Sequence, residues 1–174
     1  IDHVQITIAE TVGVETRGNF YEGVGALRDM AQSHLLEMMS AIIMKQPQRL
    51  DADSIRNARA KSIESINVID PKRVAEYAVR GQYSGKGPLI GYRKEPNVDL
   101  HSNTETFVAL KLMVDDNKWA NVPFYLRTGK RLKKKVTEIS VVFKEPNIKM
   151  FETGGIVANV LTFQIHPVEA IKLR

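Results

Sequence analysis

The chain has 174 residues, 43% hydrophobic and 26% charged, with a formal net charge of +5 and no cysteine. That length suits one domain, which buries roughly 70% of its unfolded surface; the missing cysteines exclude disulfides, thiolate catalysis and cysteine zinc sites. Four scattered histidines without ligand spacing predict no metal site, and an apolar stretch of only 35–44, interrupted by Glu37 and Ser40, predicts no membrane span.

The chain opens on Ile1 with no signal-peptide pattern and ends on Arg174, which reads as truncation at both ends. Residues 3–9 alternate and are rich in β-branched side chains, a strand pattern. Residues 11–22 read as a loop. From about Val24 to Gln46 the period becomes helical, with Leu27, Met30, Ala31, His34, Leu35, Met38 and Ile42 recurring and Pro47 just beyond. Such a helix is roughly 33 Å long. A second helix is expected over 53–66, capped by Asp51 or Asp53, and a short turn from Pro71 through Val74.

Beyond these the pattern turns to strands. Candidates are 76–83, 105–115, 122–128, 135–144 and 157–166, with a long loop at 84–103. Turn signals stand at Asp115-Asp116-Asn117, Gly129, Pro146-Asn147 and Gly154-Gly155. Short connections favour antiparallel neighbours. The expectation is an α+β domain, a long helix and further helices on a mostly antiparallel sheet.

No glycine-rich strand–turn–helix or P-loop is present, so no cofactor-binding residue is assigned to this chain. His34 falls on the helix's apolar stripe. There it is either a hydrogen-bonded core histidine or a general base, a role that its reference pKa of ~6.5 suits. Asp29, five residues earlier, is about 140° away around the helix; it is a solvated carboxylate or one that reaches the same ligand. Glu10, ending the first strand, can accept from sugar hydroxyls or face only water. The basic run Lys130, Arg131, Lys133, Lys134 and Lys135 is either a solvated hairpin tip or an anion funnel. A non-enzymatic anion- or nucleic-acid-binding module built on 130–135 is the rival function. No basic stripe interleaved with aromatics supports nucleic acid.

Several segments carry a family resemblance. Glu22–Leu36 (EGVGALRDMAQSHLL), Val79–Tyr83 (VRGQY), Gly91-Tyr92, Ser102–Leu110 (SNTETFVAL) and Trp119–Lys130 (WANVPFYLRTGK) resemble, in order, the glucose-6-phosphate dehydrogenase family. The resemblance covers essentially residues 1–174, as part of that family's C-terminal, substrate-binding and catalytic domain; the Rossmann domain is absent from this chain. It implies a cytoplasmic oxidoreductase of the pentose phosphate pathway that oxidises glucose 6-phosphate at C1 to 6-phosphogluconolactone with NADP, bound mainly by the missing domain. It implies His34 as the base, Glu10 and Asp29 as partners of sugar hydroxyls, Lys130 and Lys135 as further substrate contacts, and a homodimer formed through the sheet. Without its coenzyme domain the fragment is expected to be inactive. Ser33 replaces the usual Asn before the histidine, and Asn19-Phe20 the more common Gly-Gly pair. Gln164-Ile165-His166-Pro167 lacks the Arg through which some members hold a second NADP.

Overall fold

A computed structural model describes residues 1–146 and 157–174. The turn signals at Asn147 and Gly154-Gly155 lie outside the described residues. Strand β1, His3–Ala9, forms where the sequence pattern places it, with Val4 and Ile6 fully buried. The other strands are β2 Ala78–Gly81, β3 Phe107–Leu112, β4 Phe124–Gly129, β5 Val136–Val142, β6 Val160–His166 and β7 Ala170–Leu173. They make one sheet in the order β2-β3-β4-β1-β5-β6-β7. Every pairing in it is antiparallel except β1 with β4. This is the expected α+β arrangement. One expectation fails: β4 and β5 are close in sequence but not neighbours, because β1 is inserted between them.

The long helix differs from its sequence pattern. Helix α1 starts early, at Gly18–Ala26, so half of the expected 11–22 loop is helical. Gly25 then breaks it at φ 66° and ψ 175°, a backbone conformation open essentially to glycine alone. A π-helical segment follows at Leu27–Leu35, and α2 runs over Leu36–Ile43. It ends before Gln46 because Met44, its amide still bonded to the Ser40 carbonyl, turns extended at ψ 143°. Helix α3, Ala52–Glu64, is capped by Asp51, whose carboxylate accepts from the Ser54 amide at 2.9 Å. The expected strand at 76–83 shortens because Asp70 and Pro71 start helical turns that continue through α4, Val74–Tyr77.

Ala31, Leu35, Met39 and Ile43, spaced by four, form the buried stripe of the helix and pack with Val4, Ile6, Val108, Phe124 and Leu126 of the sheet. Across the strands the register aligns Ala78, Leu110, Leu126, Ile6, Ile139, Phe163 and Ile171 in one row. The centre of that row is fully buried, at Leu126 and Ile6. It emerges to 38% exposure at Phe163 and 73% at Ile171.

Candidate active site

The one parallel pairing builds the centre of the site. Ala9 pairs with Gly129, so the residues that follow, Glu10 and Lys130, leave adjacent strands side by side. The Glu10 amide bonds to the Gly129 carbonyl at 3.0 Å, and Lys130 Nζ donates to Glu10 Oε2 at 2.7 Å. Lys130 is only 8% exposed, and its ammonium lies 5.2 Å from the centre of the Tyr21 ring. Tyr21 comes from α1 and is buried, with no protein hydrogen-bond partner for its hydroxyl among the described residues. Burial raises that hydroxyl's pKa above the ordinary tyrosine value, and the carboxylates of Asp29 and then Glu10 push the same way. Glu10 and Lys130 thus meet beside Tyr21, and the Asp29 carboxylate acts on the same phenol through its charge.

Around this centre the long 84–103 loop is tied down by two carboxylates. Glu22 accepts from the Tyr92 hydroxyl and from Ser102 Oγ at 2.7 Å. Burial alone would raise its pKa; the hydrogen bonds from Tyr92 and Ser102 outweigh it and hold the carboxyl below its usual range. Glu95 accepts from the Tyr83 hydroxyl at 2.8 Å and lies 3.5 Å from an Arg131 nitrogen. Burial pushes Tyr83 up to about 12, the Val14 amide works against it, and Glu95 adds to it. Tyr83 therefore stays a hydrogen-bond donor at neutral pH. A concavity of about 500 Å³ opens here, lined by Gln82, Tyr83, Lys86, Lys130 and Arg131 among others.

Two expectations about the site residues are corrected. His34 is exposed, not part of the buried stripe. It precedes the buried Leu35 by one residue, about 100° of rotation at helical spacing, so the core-histidine reading does not hold. It does not line the concavity beside Lys130. The run 130–135 is not a uniform hairpin tip. Gly129 belongs to β4, and the turn comes at Arg131, with φ 56°. Lys130 is buried and Arg131 partly so, while Lys133, Lys134 and Lys135 are exposed. Lys135 stands outside the cluster at Tyr21. Sequence reasoning passed over Tyr21, Glu95 and Glu105. Glu105 lies within the Ser102–Leu110 segment, but no role was given to any of the three, since their roles come from long-range contacts.

Comparison with known proteins fits this geometry. A family profile described as the glucose-6-phosphate dehydrogenase C-terminal domain matches residues 1–174. Glucose-6-phosphate 1-dehydrogenase of Dickeya dadantii is 42% identical over 180 residues, which cover 100% of this chain and 37% of that protein. The Bacillus subtilis enzyme is 42% identical over 179 residues, covering 99% of this chain and 37% of its own length. The chain thus spans little more than a third of these relatives. The crystal structure of glucose-6-phosphate 1-dehydrogenase from Mycobacterium avium superposes with a TM-score of 0.87 at 36% identity, over 99% of this chain and 37% of that one. A glucose-6-phosphate dehydrogenase in complex with its substrate glucose-6-phosphate superposes with a TM-score of 0.89 at 31% identity, over 99% and 35%. This chain belongs to the family of glucose-6-phosphate dehydrogenase C-terminal domains.

Proposed function

We propose that this domain binds glucose 6-phosphate and that the enzyme carrying it oxidises the sugar at C1 to 6-phosphogluconolactone with NADP. The observation that carries the reading is the Lys130–Glu10 pair beside Tyr21. An ammonium and carboxylates are the donor and acceptor set that a phosphorylated polyol needs. The substrate-bound neighbour, similar along nearly the whole chain, supports the same ligand.

In this reading Glu10 and Asp29 accept from sugar hydroxyls and Lys130 donates to the substrate. Lys135 is exposed, and its flexible side chain adds a second cation. His34 takes the proton of the C1 hydroxyl at an imidazole nitrogen; its exposure leaves it open to a bound hydroxyl. NADP, when bound, supplies the hydride acceptor. The glycines of α1 do not fit it: Gly23 lies within the helix, Gly25 breaks it, and neither follows a strand, so they form no dinucleotide cradle. Coenzyme binding is therefore assigned to residues outside those described. The apolar row that emerges at Phe163 and Ile171 supports a homodimer through the sheet. No specific observation favours nucleic acid, since the basic run leaves only three neighbouring exposed lysines, Lys133, Lys134 and Lys135.

Glucose 6-phosphate-dependent reduction of NADP tests the reading. The enzyme carrying this domain should show it, and the 174-residue chain alone should not, since a base without its coenzyme and orienting partner does not turn over. Reduction by the isolated chain above a blank, or none by the whole enzyme, contradicts it.

A further inference from the structure

Two halves of the candidate site hang from two consecutive residues, Glu105 and Thr106, at the entry to β3. Glu105 holds the helix side. Its carbonyl accepts from the Ala26 amide at 2.8 Å and its Oε1 from the Leu27 amide at 2.9 Å. These are free amides at the start of the segment that carries Asp29 and His34, left unpaired by the break at Gly25. Thr106 holds the sheet side. Its carbonyl accepts from the Lys130 amide at 2.9 Å, and its hydroxyl from the Tyr83 amide at 2.9 Å.

The packing at this joint is tight. Glu105 is 8% exposed, and its second oxygen lies 3.7 Å from Arg80. A Cβ added at Gly25 would come within 2.5 Å of Glu105 Oε1. The positive φ of Gly25 and the carboxylate of Glu105 therefore require each other: the break frees the amides, and the carboxylate fills the space where a side chain would stand. The result is a fixed start for the segment, with Asp29 two residues beyond Leu27 and His34 seven.

We propose that Glu105 is a positioning residue of the dehydrogenase reaction, holding the Asp29- and His34-bearing segment in place against the Lys130 end of the sheet. The inference rests on the proposed function. Its chemistry uses the acceptor oxygen, not the charge, so glutamine can replace glutamate. Removing the side chain releases the Leu27 amide and leaves only the backbone bond to Ala26 on the helix side, whereas Lys130, held through the Thr106 backbone and through Glu10, keeps its place. Turnover should then suffer more than substrate binding, because a misplaced base costs rate while the Glu10 and Lys130 contacts stay and only the Asp29 contact moves with it.

The test is steady-state kinetics of the intact enzyme with Glu105→Ala, Glu105→Gln and Gly25→Ala, with melting temperatures measured alongside. Glu105→Ala should lower kcat by roughly 10- to 100-fold and raise KM by less than about threefold. Glu105→Gln should keep kcat within about threefold of the parent, even if its melting temperature falls. Gly25→Ala should follow Glu105→Ala. A parent-like kcat for Glu105→Ala, or a Glu105→Gln as slow as Glu105→Ala, overturns the positioning role while the function stands. A parent that does not oxidise glucose 6-phosphate overturns both.

Discussion

Lys130 is the residue on which most of the candidate site depends. It is buried, and its ammonium is matched by Glu10 at 2.7 Å and by the face of Tyr21. Lys130→Met should leave the Glu10 carboxylate without its cation and cost ~1–3 kcal/mol in denaturant unfolding. Adding Glu10→Gln should recover part of that loss, as coupled partners do. Tyr21 is the opposite case. Its hydroxyl has no protein hydrogen bond to lose among the described residues, so Tyr21→Phe should change unfolding by less than ~1 kcal/mol. At Glu22 the carboxyl's pKa is depressed, so its contribution is present above the ordinary carboxylate pKa and is lost as pH falls through the folded-state pKa. Tyr92→Phe removes one of the donors that depress it. The loss should then begin at a higher pH, seen in acid unfolding followed by near-UV circular dichroism. Glu10, Asp29 and Lys130 were named as candidates from the sequence, through the family resemblance. Their common neighbour Tyr21 was not, because its place is set by a helix start that periodicity put six residues too late.

Elements were legible where a local rule acts alone. Alternation located β1, and an acidic cap with helical spacing located α3 to within two residues. Asp51→Ala should lower the melting temperature and leave the sheet intact, since the Ser54 amide loses its acceptor. Tertiary contacts set the rest. The break at Gly25 and the start of the π-helical segment are met by Glu105, which is about eighty residues away. β7 carried no recognisable pattern. It is four residues long and forms only because β6 offers an edge, pairing Phe163 with Ile171. The order of β4, β1 and β5 was equally hidden, since short connections name neighbours in sequence and not the strand inserted between them. Gly25→Ala forces a side chain into a glycine-only conformation and should cost ~1–3 kcal/mol in unfolding free energy.

At the scale of the whole molecule, the helices cover only part of the sheet. The apolar row from Ala78 to Ile171 leaves that cover beyond Ile139. An exposed apolar surface of this kind marks an association face, and the proposed dimer uses it. Ile171→Glu should shift the protein toward monomer in sedimentation, with the secondary structure unchanged. A dimer unaffected by this substitution would place the interface elsewhere. If the domain supplies the base for oxidation of glucose 6-phosphate, His34→Ala in the intact enzyme removes it. In steady-state kinetics kcat should fall by roughly two to four orders of magnitude while KM for glucose 6-phosphate stays close to the parent value. Near-normal turnover in that variant would contradict it.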